Sequence, residues 1–108
     1  MLPPIITSNN PDNRKNWIIA IETTTPVFVN IRMIPDKLIA DHSSIKNYLT
    51  TKLKENWSSP EKMVLNIIEE LNNELIPKWI EVVYMHEGVK IEVEDRQPGV
   101  SDFEIPKN

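Results

Sequence analysis

The chain has no cysteine, only two glycines and two histidines, and no long apolar run. Without cysteine there is no disulfide, no thiolate metal site and no thiol nucleophile, although that absence does not fix the compartment. Gly88 and Gly99 cannot build a glycine-rich phosphate loop where they stand. A metal site would have to use both His42 and His86 together with carboxylates, and their positions show no ligand spacing, so no metal is expected. Runs such as "WIIAI" and "WIEVVYM" fall far short of the ~20 residues that span a bilayer. The amino terminus lacks the basic-then-apolar order of a signal peptide. A cytoplasmic protein with no membrane partner is therefore expected. Sixteen acidic against twelve basic residues give a net charge of −4, and neither sign gathers into a block. Charge thus offers no reason to expect a nucleic-acid partner.

What is present is patterned. A length of 108 residues with 40% hydrophobic content suits one domain with one core. Residues 16–24, "NWIIAIETT", are rich in β-branched and aromatic residues. In the following "PVFVNIRMIP", Val27, Val29, Ile31 and Met33 alternate with Phe28, Asn30, Arg32 and Ile34. These segments predict a hairpin. Over residues 44–57 the period becomes helical, with Ile45, Tyr48, Leu49, Leu53 and Trp57 on one side and Lys46, Lys52, Lys54 and Glu55 filling the rest. A second amphipathic helix follows, with Met63, Val64, Ile67, Ile68, Leu71 and Leu75 on its apolar side and Pro77 as its stop. Its start has two readings: Ser59 as cap with Pro60 at the first helical position, or a capping box of Ser58 and Glu61. Period two returns in "KWIEVVYMH" and "VKIEVED", with Glu87-Gly88 placed for a two-residue turn. The order predicts an α+β fold, ββααββ, in which two helices cover one face of a four-stranded antiparallel sheet. Residues 1–15 read as an extended arm, 16–95 as the domain and 96–108 as an irregular tail. Unpaired sheet edges predict a homo-oligomer.

The contiguous Asp41-His42-Ser43-Ser44 invites comparison with a hydrolytic triad. Adjacent side chains usually point apart, whereas Asp and Ser routinely cap helices, so a cap by Asp41, Ser43 or Ser44 is the stronger expectation. Glu69-Glu70 and the Glu92/Glu94 alternation read as solvated faces. Trp17, Trp57 and Trp79 read as core or interface residues.

The segments "IRMIPDKLIADHSSIKNYL" and "SPEKMVLNIIEELNNELIPKWIEV", in this element order, resemble the tunnelling-fold (T-fold) superfamily. The resemblance is greatest to the short 7-cyano-7-deazaguanine reductases, the nitrile reductases of queuosine biosynthesis, and covers residues 16–99. In that family Ile-Pro-Asp leads into an acidic-x-Lys-Ser-hydrophobic-Lys-x-aromatic motif associated with NADPH. Here Asp41, Ser44, Ile45, Lys46 and Tyr48 match it, and Ser43 replaces the first lysine. The family's second helix opens with His-Glu, the Glu holding the edge of a purine-like substrate. Glu61 falls on that Glu, and Pro60 replaces the His.

The family's nucleophilic cysteine stands before a proline in the first hairpin; here Thr25 precedes Pro26, and the loop that ends in the family's Pro-Asp-Phe is missing. A threonine hydroxyl lacks the accessible anion that makes a thiolate reactive, so the resemblance does not carry nitrile reduction over. It implies an oligomeric T-fold barrel, with Asp41, Ser44, Lys46 and Tyr48 as a degenerate cofactor motif and NADPH as the cofactor. It also implies a purine- or pterin-like ligand held by Glu61 at a subunit interface. Two alternatives stand beside it: a cysteine-independent T-fold enzyme of pterin or deazapurine metabolism, and a non-catalytic structural or partner subunit.

Overall fold

In the computed structural model, which describes residues 4–101 and 105, the chain forms β1 (Thr7–Asn9), β2 (Ile19–Thr23), β3 (Phe28–Ile34), β4 (Leu38–Ala40), α1 (His42–Lys54), α2 (Pro60–Leu75), β5 (Trp79–His86) and β6 (Val89–Arg96). Part of the expected carboxyl-terminal tail, residues 102–104 and 106–108, lies outside the described residues, as do residues 1–3 of the arm. The expected four-stranded antiparallel sheet is present, in the order β2-β3-β5-β6.

Alternation along the strands decides which face is buried. Ile21, Ile31, Val82 and Val93 stand opposite one another in register, making one aliphatic row across all four strands. Both helices pack on this face. Ile45 and Leu49 of α1 and Val64, Ile67 and Leu71 of α2 are fully buried in the same cluster as Val29, Ile31, Ile80 and Val82. Each such side chain contributes about 1.5–3 kcal/mol, against about 0–1 kcal/mol for an exposed ion pair. Apolar burial therefore holds the sandwich together. The adjacent register row, Ala20, Arg32, Glu81 and Glu94, lies on the face away from the helices.

The punctuation follows local chemistry. Ser59 caps α2, its hydroxyl accepting from the Lys62 amide, and Pro60 takes the first helical position; this is the first of the two start readings. Between β5 and β6, Glu87 and Gly88 both have positive φ, 49° and 80°, as a primed two-residue turn requires. The turn between β2 and β3 contains a cis Thr25–Pro26 bond.

Two features differ from the expectation. A separate two-stranded antiparallel sheet joins β1 to β4, so the arm is tied to the domain. Asn10 secures it, its amide donating to the Asp36 carbonyl at 2.7 Å. Three-residue strands are too short to show a period, and these two are far apart in the chain. In addition, Trp57 is not part of the first helix, which ends at Lys54; its indole folds back and donates to the Lys52 carbonyl at 2.9 Å.

Candidate functional site

The Asp41–Ser44 stretch is a strand-to-helix junction. Asp41 is the cap of α1, its carboxylate accepting from the Ser44 amide at 3.0 Å. The Ser44 hydroxyl donates to the Asp41 carbonyl at 2.9 Å and accepts from the Ile6 amide at 3.1 Å. Ser44 is buried, whereas His42 and Ser43 are exposed beside it. Each polar group that could have formed a triad is thus used locally or faces solvent. Asp41, His42 and Ser43 line a cleft of about 460 Å³ with residues of β1 and β4.

Of the four residues in the cofactor motif, the structure leaves Lys46 exposed and buries Ser44 and Tyr48. Lys46 lines a second cleft, of about 430 Å³, together with Thr25, Thr50, Glu22, Thr23 and Thr24. Thr25, at the approximate nucleophile position, and Lys46 therefore meet on one surface. The titratable side chains lining it are Glu22 and Lys46.

Glu61 lies in the first turn of α2 and is exposed. Its carboxylate has no hydrogen bond or ion pair among the described residues. Topology places it at one end of the molecule. Phe28 pairs with Met85, so the turns at Thr25-Pro26 and Glu87-Gly88 share an end of the sheet. The 16 residues of α2 rise about 24 Å, close to the ~27 Å that the eight residues of β5 cover in the opposite direction. Glu61 thus returns to that end, which also carries His86. Asp41 and Ser44 belong to the junction at β4, and Glu61 lines neither of the two clefts.

The most strongly assembled polar cluster was not expected from the sequence. Lys52, read there as part of a charged face, is 4% exposed and sits in the seam between the helices. Its ammonium meets Glu70 Oε1 and Asn66 Oδ1, each at 2.5 Å, and lies 5.8 Å and 5.3 Å from the ring centroids of Tyr48 and Trp57. The Tyr48 hydroxyl donates to Glu70 Oε1 at 2.7 Å. Burial, followed by the hydrogen bond and charge of Glu70, drives the Tyr48 hydroxyl pKa well above its ordinary value. Burial also pushes the Glu70 carboxyl upward, but Lys52 and Tyr48 outweigh it and hold the carboxyl below its ordinary value. Glu69 is exposed as expected, while Glu70 turns into the seam. A signal was available: 48 with 70, and 52 with 66, sum to one constant, as residues facing each other across an antiparallel helix pair do.

The uncovered sheet face carries a further group of charges. Arg32 binds Glu81 at 2.9 Å and lies 5.4 Å from the Trp79 ring, and the Trp79 indole donates to Glu94 at 2.8 Å. Glu92 and Glu94 pair with Lys90 and Arg96 at 2.8 Å and 2.7 Å, so this alternation is an ion-paired face. Among the described residues there is no group of three or more His, Asp or Glu side chains that could hold a metal. No helix there is long and apolar enough to cross a membrane.

Compared with models of known protein families and with curated proteins, the chain matches none.

Proposed function

We propose that the protein is a T-fold oligomer related to the nitrile reductases, without their thiol chemistry, that binds a purine- or pterin-like heterocycle at a subunit boundary through Glu61. The observation that carries this reading is the Glu61 carboxylate at the start of α2, which has no partner among the described residues. Partnerless carboxylates are common on surfaces, but this one stands where the family resemblance places a ligand anchor. A carboxylate offers two acceptors to the adjacent ring and exocyclic N–H groups of such a heterocycle, and charge-assisted bonds of this kind are among the stronger ones. The helix N-terminus stabilises the anion.

Two further observations support assembly. Within the four-stranded sheet, β2 and β6 border no further strand among the described residues. Different edges at the two ends of one sheet allow head-to-tail closure into a ring. The face opposite the helices carries the ion pairs Arg32–Glu81, Lys90–Glu92 and Arg96–Glu94 among Phe28, Val83 and Met85, and its charged part suits the inner wall of a wet barrel. NADPH, implied by the resemblance, would meet Lys46 alone of its four motif residues as an exposed cation; Asp41 and Ser44 are engaged at the helix start, and Tyr48 with Glu70.

The test is isothermal titration with deazapurines and pterins on the wild type and on Glu61→Ala, with light scattering on both. The expected result is an oligomer that binds one of these ligand classes and loses that binding on substitution. Equal binding by both proteins would remove Glu61 from the site, and a strictly monomeric protein would remove the shared pocket.

A further inference from the structure

The helices share one buried aliphatic cluster that includes Ile45, Leu49, Ile67 and Ile68. Such contacts are non-directional, so they resist separation of the helices far more than sliding of one along the other. Two residues of α1 supply direction at this seam, Tyr48 through its bond to Glu70 and Lys52, and of these Lys52 also holds the connection between the helices. The Lys52 carbonyl accepts the Glu55 amide at 3.1 Å and the Trp57 indole at 2.9 Å, which sets how the chain leaves α1. The Lys52 ammonium reaches α2 at Asn66 and Glu70, and it faces the ring of the same Trp57. The connection formed by residues 55–59 is therefore clamped at its start by the backbone of Lys52, and α2 beyond it by the side chain. Ser59 and Pro60 then begin α2, with Glu61 next. With no side-chain bond among the described residues, Glu61 takes its position from where α2 starts.

We infer that Lys52 is a positioning residue that sets the register of α2 against α1 and thereby the place of Glu61. Its consequence for ligand binding rests on the reading of Glu61 given above; its consequence for the start of the helix does not. Buried polar groups in an apolar interface are known to set register in this way.

The experiment compares wild type, Lys52→Met, Trp57→Phe and the control Ile31→Val. Lys52→Met keeps an unbranched chain between the rings without the charge. Trp57→Phe keeps a ring but removes its N–H, and it reads the same contact where Lys52→Met does not fold. Ile31→Val loosens the core at a distance. Amide hydrogen exchange is followed at Lys62 and Met63, whose amides bond to Ser59, and at Leu71 and Leu75 in the same helix. The expected result is exchange about tenfold faster at Lys62 and Met63, as local opening predicts, with Leu71 and Leu75 unchanged in both seam variants. Ile31→Val should not produce that asymmetry. Equal acceleration at both ends of α2, or none at either, would overturn the inference. Titration with a deazapurine and a pterin adds the functional arm, in which the seam variants should bind about tenfold more weakly. If the exchange asymmetry appears and wild type binds neither compound, the positioning role stands and the heterocycle reading falls. If wild type binds and the seam variants bind equally well, Lys52 does not position Glu61.

Discussion

A single carboxylate oxygen, Glu70 Oε1, receives the Tyr48 hydroxyl at 2.7 Å and the Lys52 ammonium at 2.5 Å, joining two successive turns of α1 to α2. The Lys52 side chain is 5% exposed and that of Glu70 36%, so the pair straddles the boundary between seam and solvent. That asymmetry determines which partner can be lost cheaply.

Glu70→Ala leaves the Lys52 ammonium buried with only Asn66 to accept from it. Breaking a fully buried pair costs several kcal/mol; discounted for the exposure of Glu70, the expected loss is about 2 kcal/mol. Lys52→Met leaves a carboxylate that water can reach, and should cost under about 1 kcal/mol of global stability. Urea denaturation of the two variants checks the order.

The same cluster makes stability depend on pH at both extremes. The folded-state pKa of Glu70 lies below the ordinary 4.5, so its contribution is fully present above that pH and is lost as pH falls through the folded value. The folded-state pKa of Tyr48 lies above the ordinary 10.0, so its contribution is present below that pH and is lost as pH rises through the folded value. Glu70→Gln should flatten the acid limb of a stability–pH profile and Tyr48→Phe the alkaline limb. Unchanged limbs would show that other groups carry them.

Ile76 closes α2 at φ 46°, ψ 56°, a left-handed conformation that β-branched residues resist, and it is 59% exposed. Ile76→Gly therefore removes strain and little burial, and should raise stability by about 1 kcal/mol, visible as a higher Tm.

Asp41→Ala removes the cap of α1 and should cost about 1 kcal/mol. Ser44→Ala removes the acceptor of the Ile6 amide and should speed exchange at Ile6 and along β1. If Asp41→Ala instead left stability untouched, the capping role would be wrong.

The extent of sequence legibility follows from the range of each interaction. Alternation in β3 and β5 and the helical period around Leu71 forecast the sheet, the helices and the buried face, because each side chain's direction is set by its own backbone. That each helix opens on a local cap and that Glu87-Gly88 turns the chain were legible for the same reason, while the choice of Asp41 over Ser43 or Ser44 and of Ser59 over Ser58 came from the structure. The β1–β4 pairing was not, since both strands are only three residues long and lie far apart in the chain. Nor was the face of Trp79, whose burial depends on Arg32 and Glu94 reaching it from neighbouring strands.

The sequence by itself determined the four main strands and two helices in their order, that each helix opens on a local cap, and the absence of a thiol nucleophile. These depend on residue identity and on partners within a few positions along the chain. Only the tertiary structure decided that Lys52 is buried, that Glu70 and not Glu69 holds it, and that Glu61 is left without a partner among the described residues. Lys52, Asn66 and Glu70 come together only when the two helices pack antiparallel, and the cost of burying the ammonium is offset only at the register that supplies Asn66 and Glu70.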